Sequence, residues 1–297
     1  VSSSIITDNE GDYLSSGPCD LRLGTTDHKN ICITCKQNTR NCPGHVGHIS
    51  LRCGLLQPTL ISEIKRWLSI VCLNCGELLV KEEKINNYPF GVAIEKIAAS
   101  LKDTVCENCK MLNTKVQKNP DDNHSFYTIV NGKSKILYPN IIKSIFEKIP
   151  DDLVLKMGRK LDSHPKNFVH TTIMVTPNNI RPNTNMPGIN NTNSITTVIQ
   201  SIIKFNNSLP EQLPDEFIKL HTPDAKENLE ISKNIQNIQI CYFEMTKGSS
   251  KTGKDSNSKQ GISISRGKPL DSLLKKLSSK KGIIRHALLG KRGWDTS

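Results

Sequence analysis

Apolar residues along this chain recur with two periods, and each change of period marks an element. Leu60, Ile61, Ile64, Trp67 and Leu68 share one helical face and predict a helix over 57–68. Ile94, Ile97, Ala98 and Leu101 predict another inside 86–103, and residues 138–149 a third, ended by Pro150. The clearest stripe, Ile195, Val198, Ile199, Ile202 and Ile203, starts a helix at Ser194, and a further helical segment follows over 224–245. Residues 47–52 alternate and read as a short strand. Residues 168–175 read as a buried strand broken by Pro177 and Pro182, and 125–130 as one arm of a hairpin turning at Asn131-Gly132. The stretches between are polar: 1–18 reads as a surface arm, and 177–194, rich in proline, glycine and asparagine, as a loop. The sum is an α+β fold of helical segments, short antiparallel strands and long loops.

Composition sharpens this picture. Of 297 residues, 36% are hydrophobic and 5% aromatic, which implies modest cores under long polar loops. The formal charge is +12 and the pI about 9.2, the balance of a chain that meets a polyanion, either nucleic acid or an anionic membrane surface. From Lys247 to Arg292 thirteen lysines and arginines face only Asp255 and Asp271, a net +11. Cations this dense neutralise adjacent phosphates and release their counterions. Residues 247–261, rich in Gly, Ser and Lys, read as a mobile loop. In 280–292 the basic residues flank an apolar run and glycines, the pattern of a structured turn; a solvated basic tail is the plainer alternative. No apolar run reaches the roughly 18 residues of a membrane span, and no signal-peptide pattern opens the chain. Val1 stands where a start methionine would, so the chain reads as a piece of something larger.

The candidate chemistry lies in the cysteines. Cys32-Ile-Thr-Cys35 is followed after six residues by Cys42-Pro-Gly-His45 and then by His48. Three thiolates and an imidazole at these spacings form a closed set for structural Zn²⁺, with Pro43-Gly44 folding the chain back so that His45 completes the tetrahedron. His48 is the other imidazole in reach and reads better as a supporting histidine than as the ligand. Cys72-Leu-Asn-Cys75-Gly and Cys106-Glu-Asn-Cys109, separated by a 30-residue excursion, form a second set of Cys72, Cys75, Cys106 and Cys109, like a zinc ribbon. Independent redox pairs and unrelated buried residues are the alternatives. Ten cysteines without a secretory signal favour metal over disulfides. Cys19, Cys53 and Cys241 stand at no metal spacing and read as ordinary small apolar or partly exposed residues.

Taken in order, these residues resemble the largest subunit of multisubunit DNA-directed RNA polymerases, over nearly the whole chain. Asp20-Leu-Arg-Leu-Gly-Thr-Thr-Asp27 and the Cys-x₂-Cys-x₆-Cys-Pro-Gly-His-x-Gly-His run look like that family's N-terminal zinc loop. Val71-Cys-Leu-Asn-Cys-Gly-Glu-Leu-Leu79 is similar to the second zinc site of its clamp, in the form typical of archaeal members. Lys143-Ser-Ile-Phe-Glu-Lys-Ile-Pro-Asp151, Ile180-Arg-Pro182 and Ile203-Lys-Phe-Asn-Asn-Ser-Leu209 match later clamp segments. Gly267-Lys-Pro-Leu270, Lys281-Gly-Ile-Ile-Arg285 and Gly290-Lys-Arg292 resemble the hinge that joins clamp to core.

The resemblance implies a zinc-stapled clamp domain with two Zn²⁺, on Cys32, Cys35, Cys42 and His45 and on Cys72, Cys75, Cys106 and Cys109. It implies a division into a zinc-binding region, 1–149, clamp-core helices with two loops, 150–265, and a basic hinge, 266–297. The loop after Arg181-Pro182 would be the lid that helps peel RNA from the template, and the lysine-rich loop near 247–265 the rudder beside the RNA–DNA hybrid. Lys280, Arg285, Lys291 and Arg292 fall where the family's hinge grips template phosphates. Implied partners are template DNA, the RNA–DNA hybrid, and the second-largest and other polymerase subunits, with no membrane. The expected location is intracellular: the nucleus, or a viral factory or virion. Departures from the pattern, Gly-Trp-Asp-Thr-Ser297 after Lys291-Arg292 and His-Ala-Leu-Leu after Arg285, fit a fast-evolving polymerase such as those of large DNA viruses. The family's Mg²⁺-binding Asn-Ala-Asp-Phe-Asp-Gly-Asp motif is absent, so this chain alone is not expected to catalyse nucleotidyl transfer. Two other classes compete: a stand-alone zinc-containing nucleic-acid-binding regulator, and a scaffold whose zinc loops bind proteins.

Overall fold

The computed structural model of the chain describes residues 1–79, 101, 104–119, 124–130, 132–186, 189–220, 228–248, 272–280 and 282–284. The helix expected inside 86–103 and the lysine-rich loop after 248 lie outside these. The fold is α+β, in two compact units whose sequences interleave. One holds Val1–Leu51, Thr172–Ser208 and Asn237–Ser297; the other holds Arg52–Thr171 and Leu209–Gln236.

The second unit carries most of the short strands. Strand β1, Gly47–Leu56, enters it from the first unit; its end is buried at Cys53, Leu55 and Leu56, longer than alternation over 47–52 predicts. A 3₁₀ turn opened by Pro58 leads into α1, Ile61–Ile70, which buries Ile61, Ile64, Trp67, Leu68 and Ile70. Strands β2, Thr104–Val105, and β3, Leu112–Asn113, form a small antiparallel pair. Strands β4, Gln117–Lys118, β5, Phe126–Val130, and β6, Lys133–Leu137, form a three-stranded antiparallel sheet. Val130 pairs with Lys133 across the Asn-Gly turn signal, and Gly132 is left-handed at φ +76°.

The helix expected over 138–149 is present but ends three residues early, and a second helix that the apolar pattern did not announce follows Pro150. Helix α2, Pro139–Phe146, closes through i→i−3 bonds from Lys148 to Ile145 and from Ile149 to Phe146, the usual tightening of a last turn. Pro150 then serves as the N-cap of α3, Asp151–Lys156, whose first turn carries Asp151 and Asp152 against the helix dipole. Tyr138 meets Phe217 edge to face at 4.8 Å, and Phe146 meets Phe168 at 6.5 Å, fixing the aromatic centre of this unit.

Strand β7, Val169–Val175, pairs with β1 and runs from the second unit into the first. Only Val169, Ile173 and Val175 are buried, while Met174 is 61% exposed. The run read as a buried strand is therefore only partly buried. In the first unit, β8, Thr184–Met186, and β9, Ile189–Asn191, make a hairpin within the expected loop. Helix α4, Ser194–Asn207, buries the predicted stripe, and the Asn193 side chain caps it by accepting from Ile195 N–H. Helix α5, Leu229–Lys247, buries Ile231, Ile235, Ile238, Cys241 and Met245; the first residues of the span expected for it lie outside the described ones. Helix α6, Leu273–Ser278, is a short turn capped by Ser272. The segment read as a surface arm is pinned: Gln200 and Asn207 donate to the Ser4 and Ser2 carbonyls, and Thr7 bridges Tyr13.

Candidate metal centres and nucleic-acid surface

Three stretches, 32–37, 72–77 and 106–111, fold alike. In each, the N–H after the second cysteine bonds the carbonyl of the first: Lys36 to Cys32 and Gly76 to Cys72 at 2.9 Å, Lys110 to Cys106 at 3.0 Å. The first cysteine's N–H returns to the next carbonyl on, Gln37 at 3.0 Å, Glu77 at 2.7 Å and Met111 at 2.9 Å. Closing this knuckle requires left-handed backbone after the second cysteine, and φ is +58° at Lys36, +78° at Gly76 and +58° at Lys110. Glycine adopts it freely, whereas each lysine costs about 1 kcal/mol. At Gly76 space adds to the requirement, because a Cβ would stand 2.8 Å from the Lys148 carbonyl carbon and oxygen.

The knuckles bring together the ligand sets that the spacing suggests. Cys32, Cys35, Cys42 and His45 offer four donor atoms within 4.8 Å of one another, and so do Cys72, Cys75, Cys106 and Cys109. Sulfurs of Cys72 and Cys109 are 3.5 Å apart, those of Cys75 and Cys106 3.6 Å, and Cys42 Sγ is 3.8 Å from His45 Nε2. Tetrahedral ligands on Zn²⁺ at ~2.3 Å stand about 3.8 Å from each other, so both donor sets fit such an ion. His45, not His48, joins the first set; His48 is exposed on β1.

The electrostatics suit metal as well. At Cys109 burial opposes ionisation, but donors from Met111, Asn74, Cys72 and Cys75 outweigh it and bring the thiol down to about 6. Burial and the neighbouring thiols push Cys75 up to about 12. Without a dication the cluster takes on charge one proton at a time, while a bound dication lets all four sulfurs ionise. Cys72 Sγ also accepts from Asn74 N–H at 3.4 Å and from the buried Asn113 amide at 3.3 Å. Asn113 further accepts from Leu73 N–H at 2.8 Å and donates to the Met111 carbonyl at 3.2 Å, lacing two knuckles together.

The first loop is seated in a different way. Asp20 caps the 3₁₀ turn Leu21–Leu23, and His45 N–H reaches the Leu23 carbonyl at 3.1 Å. Asn179 donates to the Cys42 carbonyl at 2.9 Å, and Asn178 to the carbonyls of Cys19, Asp20 and Gly24. The patterns of hydrophobicity and cysteine spacing give no hint of Asn113, Asn178 or Asn179 in a chain so rich in asparagine. The lysines at 36 and 110 had a usable signal: they occupy the slot that Gly76 fills in the remaining knuckle.

Of the residues assigned to phosphates, Lys280 is exposed in the turn that follows α6. Arg285, Lys291 and Arg292 lie outside the described residues. Lys276 ties α6 to the Ile180 carbonyl at 2.6 Å. Among the described residues no helix is long and apolar enough to cross a membrane.

A mixed fold with two four-donor sets, each able to hold a metal ion, within one basic chain is the class these observations define. The chain belongs to the family described as RNA polymerase Rpb1, domain 1, whose sequence profile matches residues 1–288. It is thus the N-terminal part of an RNA polymerase largest subunit. It is 33% identical over 287 residues to the DNA-directed RNA polymerase RPB1 homolog of African swine fever virus, covering 95% of this chain and 19% of that protein. It is 28% identical over 303 residues to the DNA-directed RNA polymerase subunit Rpo1N of Methanocaldococcus jannaschii, covering 96% of this chain and 21% of the relative. The Rpo1N subunit of Methanococcus vannielii is 27% identical over 304 residues, covering 96% of this chain and 32% of the relative. The chain therefore spans about a fifth to a third of the length of these relatives.

Proposed function

We propose that this chain is the clamp portion of a DNA-directed RNA polymerase, holding template DNA and the RNA–DNA hybrid without performing the chemistry. The match over residues 1–288, with both metal sets gathered in its course, carries the reading. Zn²⁺ on Cys32, Cys35, Cys42 and His45, and on Cys72, Cys75, Cys106 and Cys109, supplies cross-links that the modest cores do not. In this reading 1–149 is the zinc-binding region, 150–265 the clamp core and 266–297 the hinge. The β8–β9 hairpin is the lid, 247–265 the rudder, and Lys280, Arg285, Lys291 and Arg292 contact template phosphates. Nucleotidyl transfer needs carboxylates that hold Mg²⁺, and the proposal places them in the rest of the assembly with the second-largest and other subunits. The setting is intracellular, in a nucleus, viral factory or virion. A stand-alone zinc-containing regulator is the second reading, favoured only by the density of charge in 247–292.

The test replaces Lys280, Lys291 and Arg292 with alanine in the whole enzyme. Template complexes should dissociate faster, and removing each cation that meets a phosphate should reduce the salt slope by about 1. An unchanged complex lifetime and salt slope would rule out the hinge assignment.

A further inference from the structure

We infer that the first metal loop is the mount of the β8–β9 hairpin, with Asn178, Asn179 and Arg181 as the positioning residues that join them. The functional part of this inference rests on reading that hairpin as the lid. Asn179 donates to the carbonyl of Cys42, itself one of the four candidate ligands, at 2.9 Å. The Asn178 amide is buried and gives its two N–H groups to three converging carbonyls, Gly24 at 2.7 Å, Asp20 at 3.0 Å and Cys19 at 3.3 Å. The approach is close enough to interlock. A Cβ on Gly44 would stand 2.6 Å from Pro177 Cβ, and one on Gly24 would stand 2.9 Å from Asn179 Oδ1.

Arg181 carries the connection onward. Arg181 is 2% exposed, and among the described residues no carboxylate pairs with it. It donates instead to the Thr176 carbonyl and Thr196 Oγ1 at 3.0 Å, to Asn178 Oδ1 at 2.9 Å, and to the Pro18 carbonyl. Burying a cation against neutral acceptors is costly, so the planar fork is what the site uses: one group fixes the segment before the hairpin, the first turn of α4 after it, and the chain leading into the metal loop. The hairpin root is then closed by side chains. Asn183 Oδ1 accepts from Asn193 N–H at 3.1 Å, and the Asn193 amide donates to the Pro182 carbonyl at 3.3 Å. Above that clasp the strands pair Thr184 with Asn191 and Met186 with Ile189. Both legs of the hairpin are thus fixed at a base whose other side is the backbone of a metal ligand. A change at Cys42 reaches the hairpin through two asparagines and one arginine.

The test compares wild type, Asn178→Ala and Asn179→Ala in the full-length subunit within its assembly, with Co²⁺ loaded in place of Zn²⁺. Hydrogen exchange of amides in 184–191 is read against the β5–β6 sheet as the internal reference. Loss of the single Asn179 bond should speed exchange of the hairpin about tenfold, and loss of the several Asn178 bonds by at least as much, with cobalt–thiolate absorption and the reference sheet unchanged. Chelation of the metal should release the same amides. Unchanged hairpin exchange with the metal still bound would overturn the inference. If an asparagine variant loses its metal or its reference protection, Arg181→Lys decides, because it keeps the charge and removes the fork. Faster exchange confined to the hairpin supports the mount, and none refutes it. The length of the RNA–DNA hybrid in stalled complexes separates the two claims: faster hairpin exchange with an unaltered hybrid leaves the mount standing and removes the lid reading.

Discussion

Asn113 offers a direct test of the second metal centre, because its three bonds separate into two kinds. Its amide N–H groups face Cys72 Sγ at 3.3 Å and the Met111 carbonyl at 3.2 Å, while its oxygen accepts from the buried Leu73 N–H at 2.8 Å. Asn113→Ala strips all three. The orphaned Leu73 N–H costs about 1–3 kcal/mol of fold stability. Losing the donor to sulfur weakens metal binding by roughly 10–100-fold, the usual effect of removing a group that supports a ligand. That is about 1.4–2.8 kcal/mol. Asn113→Asp distinguishes the two effects: it keeps the acceptor for Leu73 but places a carboxylate against the sulfur, so stability suffers less and affinity suffers more. Competition with a chromophoric chelator reads both sites in the same chain. Wild type should release two Zn²⁺ on denaturation, and each variant should show one site weakened with the other unaltered. Wild-type affinity at both sites in Asn113→Asp would refute the argument that the amide supports Cys72.

Other expectations follow from single residues. Gly76→Ala must place a Cβ at φ +78° within 2.8 Å of the Lys148 carbonyl, whereas Gly132→Ala at φ +76° meets nothing within 4 Å. Denaturant unfolding should show a destabilisation of about 1 kcal/mol at position 132 and at least about 2 kcal/mol at position 76; equal effects would mean the knuckle does not press on Lys148. His164 is buried with Nε2 donating to the Ile149 carbonyl and Nδ1 accepting from Lys166 N–H, both at 3.1 Å. Asp151 Oδ1 lies 3.5 Å away and Lys166 beside it; burial leads in holding the ring's pKa below its ordinary value. Because the folded pKa is depressed, its stability contribution is complete above the unfolded value of about 6.5 and is lost as pH falls through the folded one. His164→Gln should flatten that part of the acid limb of melting temperature against pH, and an identical acid limb in both proteins would exclude this role.

Much of the fold was legible because periodicity reports burial. The stripe from Ile195 to Ile203 became the buried face of α4, and Asn131-Gly132 marked the β5–β6 turn. Reading failed where competing signals were local. Ile149 continues the apolar pattern past the end of α2, yet its N–H bonds back to Phe146 in a tightened turn, and Pro150 opens a new helix. Val169–Val175 has the composition of a buried strand, but Thr171, Thr172 and Met174 are exposed, which composition does not register. Cysteine spacing named both metal sets because a knuckle is a local structure. Asn113, Asn178 and Asn179 escaped notice because the groups they hold are mostly distant in sequence: Asn178 reaches the Cys19 carbonyl across 159 positions.

Holding template DNA inside a polymerase is the role proposed for this chain. Photo-crosslinking from position 280 in a stalled, fully assembled transcription complex tests it most directly. Crosslinks to the template strand that weaken as salt rises are the expected result. A complex that assembles and stalls normally, yet yields no DNA crosslink from that position, would contradict it.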